Sequence, residues 1–460
     1  MRLAFFLTGS VALAAASIAS AAPESPTFYK DVLPVLQKNC QTCHRPGEAA
    51  PMSLLTYDST RPWAKAIKTA VATKKMPPWF ADPHVGKFGN DPTLSADTIA
   101  TLVNWADAGA PAGNPADAPA PLTWVEGWRI GKPDAVIKIP QAIEIPASGT
   151  VDYQYVIVPT GFTEDKYVAM AEARPSAPGV VHHILAFVRE PGSTFLKGAP
   201  TNTAFSEKGL RAAAEARIRE QMKEHPELAN RRGGQGGPDM AAGDFGDMIA
   251  GYAPGTLPNI LKPGQVKLVP AGSDIVFQIH YTANGKPASD VSELGLVFAN
   301  YKPVERVLTL AATTQDFVIP AGNPNYQVDS KLKLQDDATL LNMLPHMHFR
   351  GKSFEYRVTY PSGEKETLLD VPNYDFNWQL SYDLAKPKVL PKGSLIECTA
   401  HYDNSANNKW NPDPTKDVHY GEQTWEEMMF GFFDVAVPLN KTARDLMIPA
   451  DKRTQRTSGF

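Results

Sequence analysis

The sequence predicts a multidomain chain in which a small all-α unit precedes a larger all-β region, and three observations lead there. Its 460 residues exceed the roughly 250–300 at which a single core stops growing, so two or three domains are expected. The 41 prolines and 33 glycines imply many turns and short strands rather than long helices. Near residue 110 the pattern changes from helical periodicity to short apolar runs separated by Pro and Gly.

The chain opens with Arg2, an apolar run from Leu3 to Ile18 and the small triplet Ala19-Ser20-Ala21. This reads as a signal peptide, residues 1–21, cleaved after Ala21, because the run is shorter than the roughly 20 apolar residues a span requires. Export to the periplasm is expected. The next unit covers 22–109. Within it, Val32, Leu33, Val35 and Leu36 give Phe28–Cys40 a helical pattern despite Pro34. A second helix is expected over Ser95–Ala108, with Ser95 as N-cap, Ile99, Leu102, Val103 and Ala106 on one face, and Gly109 at its end. Residues 110–121, APAGNPADAPAP, read as a semi-rigid linker.

Beyond the linker, strands are expected at Ala135–Ile139, Tyr153–Val158, Val180–Val188, Asp274–Tyr281 and Val307–Ala311. Further strands are expected at Leu332–Leu334, Phe354–Val358, Ser394–Tyr402 and Met429–Val437. So many short strands mean sandwiches or barrels. Phe205–Glu224, rich in Ala, Arg, Glu and Lys, and the glycine-repeated Arg231–Asp244 read as a helix and loop inserted near 192–250. The net charge of -4 comes without a Lys/Arg block, which argues against nucleic acid or an anionic membrane as partner. No later stretch reaches spanning length, so no membrane span is expected in the mature chain.

Cys40, Cys43 and His44 form C-x-x-C-H. Two thiols at that spacing reach the two haem vinyl groups while the adjacent imidazole reaches the iron, so covalent haem c is expected. The alternatives are a redox pair or half a zinc site, but no thioredoxin-like strand precedes the motif and no second Cys pair completes zinc. For the sixth ligand, Met76 in Lys75-Met76-Pro77-Pro78-Trp79 is chosen over Met52 and His84. The first 110 residues resemble a small class I cytochrome c, a family that carries a Met-Pro loop at this position.

Seven histidines follow the linker besides His225 of the insert: His182, His183, His280, His346, His348, His401 and His419. His346 and His348 share one face of a strand and are spaced to grip one ion. His280 shares a face with Gln278 and Asp274, opposite Ile275, Phe277 and Ile279, and is therefore not expected in the core. His182 and His183 face opposite ways unless a bulge turns one round. Taken singly, each is as readily a structural histidine as a ligand.

The context of these residues resembles the copper type II, ascorbate-dependent monooxygenases, the family of peptidylglycine alpha-hydroxylating monooxygenase and dopamine beta-monooxygenase. The resemblance implies two all-β sandwich, jelly-roll-like copper domains, here 122–300 and 301–460. It implies one copper on His182, His183 and His280, the last within Gln278-Ile279-His280-Tyr281, with Tyr252-Ala253-Pro254-Gly255 between them. A second copper falls on His346, His348 and Met428, the last following Thr424-Trp425-Glu426-Glu427. The neighbouring Met429 shares a strand face with Phe433, Val435 and Val437, a core pattern.

Peptide-amidating members hold the substrate carboxylate with an Arg and a Tyr where this chain has Leu344 and Phe432, so a glycine-extended peptide is not expected. Cys398 lacks a disulfide partner and is expected to be buried and structural. His401 and His419 are read as surface or supporting residues. The implied activity is hydroxylation of a C–H bond of a small organic substrate with O2, at His346, His348 and Met428. Electrons would come from a periplasmic donor through the fused haem. The rival readings are a non-catalytic haem and copper carrier, and a β-sandwich pair that binds no copper.

Overall fold

The computed structural model describes residues 25–448 except 49, 125, 126, 207, 211, 213–245 and 255. The expected signal peptide and most of the expected insert lie outside the described residues. The protein is mostly β-sheet with few helices. Among the described residues, no helix is long and apolar enough to cross a membrane.

Most of the described helices gather at residues 28–107, with a short one, Ala443–Met447, after the last strand. A π-helical turn, Phe28–Val32, runs into the α-helix Leu33–Asn39, and Pro34 is tolerated because it falls in that helix's first turn. The helix Ala96–Asp107 starts at Ser95, whose side chain accepts from the Thr98 amide. Two short helices escape the sequence reading, Tyr57–Thr60 and Ala64–Ala72. The second is held by tertiary burial of Ala64, Ile67 and Val71 along one face. Phe28, Leu36, Leu102 and Trp105 form the centre of this unit's own core. The linker is not a free spacer at its start. Pro111 O accepts from the Phe28 amide and the Trp105 indole, and Ala112 O accepts from the Tyr29 amide.

The β region has two layers. One long sheet has the strand order Ala135–Lys138, Glu293–Phe298, Lys166–Arg174, Gln265–Val269, Glu305–Thr313, Phe430–Pro438, Ala338–His346, Tyr382–Leu390. Against it lie two four-stranded sheets. The first is ordered Gln154–Pro159, Asp274–Tyr281, Val181–Arg189, Asp247–Tyr252, and the second Tyr326–Lys333, Leu395–Tyr402, Gly351–Thr359, Lys365–Val371. A separate apolar core fills each half. The halves are nevertheless joined in one sheet, because Gln265 and Val266 pair in parallel with Glu305 and Arg306. A buried polar seam runs along the joint. Lys267, 2% exposed, meets Asp247 at 3.4 Å and Thr309 at 3.1 Å, and Thr309 donates to Asp434. Such a seam specifies which strands meet more than it adds stability.

Two expectations change here. The sequence places His346 and His348 on one strand face, but the strand Ala338–His346, whose pattern Asn342 and Pro345 interrupt, ends at His346, and His348 lies beyond it just before the next turn. Pro345 is accommodated because pairing with Tyr382–Leu390 ends at Met343, so its missing N–H breaks no ladder bond on that side. His280 does share a face with Gln278, but that face is buried too. It is covered by a satellite core that includes Tyr153, Tyr155, Phe187, Phe195 and Leu196, contributed from elsewhere in the chain. Local alternation cannot reveal such a cover.

Candidate functional site

His183 and His280 are direct partners across the strands Val181–Arg189 and Asp274–Tyr281. The register shifts between Val181 and His183, so the chain bulges at His182 and turns its ring toward the other two. His182 Nδ1 lies 3.2 Å from His183 Nδ1 and 3.3 Å from His280 Nδ1. Nitrogens bound at roughly 2.0–2.1 Å to one ion in tetrahedral geometry are about 3.3 Å apart. Among the described residues, this trio is the one group of three His, Cys, Asp or Glu donors whose ligand atoms all lie within 4.8 Å of one another.

The rings are neutral. Burial pushes His182 down to about 4, and drives His183 and His280 well below the ordinary imidazole range, with neighbouring histidines adding to the effect. A neutral ring has one proton for two nitrogens. Here three Nδ1 atoms converge while Nε2 of His182 and of His183 is buried without a hydrogen-bond partner. Polar atoms left in this way cost on the order of 1–3 kcal/mol each, and a cation among the nitrogens relieves the crowding of lone pairs. Imidazole donors suit copper, zinc, iron or nickel.

The second pair sits at the end of Ala338–His346, where His346 is paired with Phe430. Gln379 donates through Nε2 to Phe376 O at 2.9 Å, which turns its Oε1 toward His346 Nδ1 at 2.8 Å. His346 Nδ1 therefore carries the proton, leaving Nε2 as the free donor atom. His348 Nδ1 lies 3.3 Å from Glu426 O, and its Nε2 is buried without a partner. Burial holds His346 at about 4 and His348 well below its ordinary value. The Glu427 carboxyl, pushed up to about 8 by burial, accepts from the amides of His348 and Arg350 at 2.9 and 2.7 Å and pins the turn that carries His348. Met428 lies two residues before Phe430, beyond the end of this ladder, and its carbonyl accepts from the Tyr402 hydroxyl. Met428 is buried outside the apolar cores, whereas Met429 is fully buried within the second one.

The two histidine groups meet. His183 and His346 ring centroids are 5.9 Å apart. Two aromatic side chains touch both groups. Tyr153 stacks on His280 at 4.7 Å and reaches His348 at 6.4 Å, while Phe376 stacks on His182 at 4.6 Å and reaches His348 at 6.3 Å. Below them Tyr155 donates to Glu422 at 2.8 Å, joining the halves. Leu344 and Phe432 are register partners, and Phe432 lies 6.4 Å from His346. His401 bonds to Ser353, His419 is exposed and Cys398 is buried as a free thiol.

At the other candidate site, Cys40 follows the helix Leu33–Asn39, and its carbonyl accepts from the amides of Cys43 and His44. Burial raises the Cys40 thiol to about 12 and the Cys43 thiol above its ordinary value. Thiols so protonated are the opposite of a reactive redox pair. Burial lowers His44, whose Nδ1 has no hydrogen-bond partner. Beside Cys43 lies a cavity of about 360 Å³, which Trp124, Arg129, Arg174 and Tyr252 help to line; ligand pockets run from roughly 300 to 1,000 Å³. Two free thiols and an imidazole with an unpaired Nδ1 are groups a covalently held haem would use, while the adjoining cavity is lined by Cys43 and not by Cys40 or His44. Met76 lies partly buried in the turn after Ala64–Ala72, its amide donating to Ala70 O, and it does not line this cavity. Met52 packs on the helical core and His84 is exposed.

No family model and no curated protein matches the chain. It is weakly similar to the solved structure of infectious bursal disease virus Gt strain, at 10% identity over 68% of this chain and 72% of that one, with a TM-score of 0.18. The VP2 subviral particle of the same virus gives 8% identity, 66% and 71% coverage and a TM-score of 0.16. Scores this low carry no argument.

Sequence reasoning missed Tyr153, Phe376 and Gln379. None sits in a motif, and each reaches the histidines only through tertiary packing. Glu427 was visible only as an acidic neighbour of Met428.

Proposed function

We propose that this chain is an exported, haem-fed copper monooxygenase that hydroxylates a C–H bond of a small organic substrate. It would pair a small cytochrome c-like unit with two copper-binding β-sandwich halves. The observation that carries the reading is the convergence of three neutral, buried Nδ1 atoms at 3.2 and 3.3 Å, with a second, tautomer-fixed histidine pair 5.9 Å away.

His182, His183 and His280 would hold one copper, and His346, His348 and Met428 the other. Bound copper supplies one-electron transfer and activation of dioxygen, and a thioether donor favours the cuprous state. The overall balance is one C–H bond and O2, with two electrons and two protons, giving C–OH and water. The chain's own residues prepare the site. Gln379 and the Glu426 carbonyl orient the second pair, Glu427 fixes its turn, and Tyr153 and Phe376 exclude water between the two groups. Leu344 and Phe432 offer substrate an apolar wall with no cation for a carboxylate. Cys40, Cys43 and His44 would carry the haem, with Met76 the proposed sixth ligand, and so supply electrons one at a time.

The test is copper and haem content of the mature protein, in wild type and in His280→Ala and Met428→Ala. Two coppers per haem, with each variant losing about one, is the expected result. Haem without copper under copper-replete conditions would end the monooxygenase reading. Two coppers without substrate-dependent oxygen uptake across a substrate screen would favour the carrier.

A further inference from the structure

The stretch Trp79–Asn90 belongs in sequence to the helical unit but lies on the second β half. Ala81 is part of that half's apolar core, and Trp79, Phe80 and Phe88 pack against it. The stretch runs along Tyr382–Leu390, the last strand of the long sheet, where Phe88 bridges to Leu384 and Lys87 O accepts from the Ala385 amide. It thereby covers part of a sheet edge.

Its hydrogen bonds fall on both stems of one loop. Between the strands Lys365–Val371 and Tyr382–Leu390, residues 372–381 carry Phe376, which touches His182 and His348, and Gln379, which accepts from His346. On the entering stem the Asp82 amide donates to Asp370 O at 2.8 Å. On the leaving stem Asn90 donates to Ser381 O at 2.8 Å and accepts from the Asp383 amide at 3.0 Å, and the Gly89 amide donates to Asp383 O at 2.8 Å. Between those bonds Tyr382, 2% exposed, is packed by Trp79 at 4.7 Å and by Phe88 at 5.7 Å. Gln379 precedes Tyr382 by three residues, so their Cα atoms are at most about 11 Å apart. Apart from His346, Gln379 bonds to Tyr374 and Phe376 of the same loop, and the Tyr374 hydroxyl bonds to Met347. Gln379 therefore goes where the loop goes. Tyr374 anchors that loop on the inside, and the stretch from the helical unit anchors it at the stems.

We propose that Trp79 and Asn90 are positioning residues for the second histidine pair. By holding the stem at Ser381–Asp383 they fix Gln379, and through it the Nδ1-protonated tautomer of His346 that leaves Nε2 free as a donor. The use made of that nitrogen rests on the copper reading above, whereas the positioning does not. The unit that carries Cys40, Cys43 and His44 is then a built-in support of the second site and not only a donor tethered to it.

The experiment reads the imidazole nitrogens of the full-length, metal-free protein by NMR with isotope-labelled histidine near neutral pH. Wild type is expected to show His346 as a single Nδ1-protonated tautomer, and Gln379→Leu to lose it. Asn90→Ala and Trp79→Ala are each expected to lose it as well, with His346 giving the averaged shifts of two exchanging tautomers while His183 keeps its own tautomer. Trp79→Phe, which keeps a ring on Tyr382, and Lys87→Ala, at an exposed position of the same stretch, are expected to match wild type. A single His346 tautomer retained in Asn90→Ala overturns the inference whether or not Trp79→Ala folds. A tautomer change at His183 in the same variants marks general loosening and overturns it too. A chain that gives the expected His346 signals but binds no copper would end the monooxygenase reading and leave the positioning role standing.

Discussion

The imidazoles of His183 and His346 stand nearly perpendicular, at 84°, with centroids 5.9 Å apart. They come from different halves of the β region, so the trio and the pair share one buried chamber.

Ions held by two groups this close are expected to be separated by valence, since at any given distance two double charges repel about four times as strongly as two unit charges. Titration should therefore give two tightly bound cuprous ions per chain, but one tight and one much weaker zinc ion. Two equally tight zinc sites would show that the ions do not feel each other.

Gln379 fixes the proton of His346 on Nδ1. Removing the acceptor in Gln379→Leu is expected to weaken cuprous binding at the second pair by about 10- to 100-fold, whereas Gln379→Glu keeps it. Competition against a cuprous chelator reads the difference, and equal affinities for wild type and Gln379→Leu would refute the role.

The metal-free protein should lose stability as pH falls from about 6.5 toward about 4. In that window the unfolded rings of His182 and His346 take protons that the folded rings refuse until about 4. The unfolded state then binds more protons, so stability rises with pH, by about 3 kcal/mol per ring over the whole window. Urea denaturation at pH 7 and 5 should show the drop, and His346→Gln should make it shallower.

Gly431 is the register partner of Pro345, beside His346. A Cβ there would sit 2.4 Å from Cys398 Sγ and 3.2 Å from Tyr356 Cε1. Gly431→Ala is expected to destabilise the protein by about 1–3 kcal/mol. Adding Cys398→Ala removes the clashing sulfur and should restore part of the loss in thermal unfolding. No recovery would place the strain elsewhere.

How much of this was legible is clearest residue by residue. Ser95 announced its helix because an N-cap acts within one turn. The run Asp274–Tyr281 declared its strand because alternation is local. The short helix Ala64–Ala72 stayed hidden, since its stability comes from burial against the neighbouring helix Ala96–Asp107 rather than from a strong local signal. His280 was misjudged as lying off the core because its cover, Tyr153 and Phe376, comes from distant segments.

By itself the sequence determined which donor atoms the chain owns: the C-x-x-C-H turn, the adjacent pair His182 and His183, the spaced pair His346 and His348, and the strand ending near His280. These are short-range facts, fixed by covalent spacing and strand period. Tertiary structure alone decided that the bulge at His182 would turn its ring inward. It also decided that Gln379 would set a tautomer, that Tyr153 and Phe376 would span both groups, and that all five imidazoles would lie in one chamber. Each depends on strands paired from separate parts of the chain and on the burial that strips water from the rings, and neither can be read from neighbours in sequence.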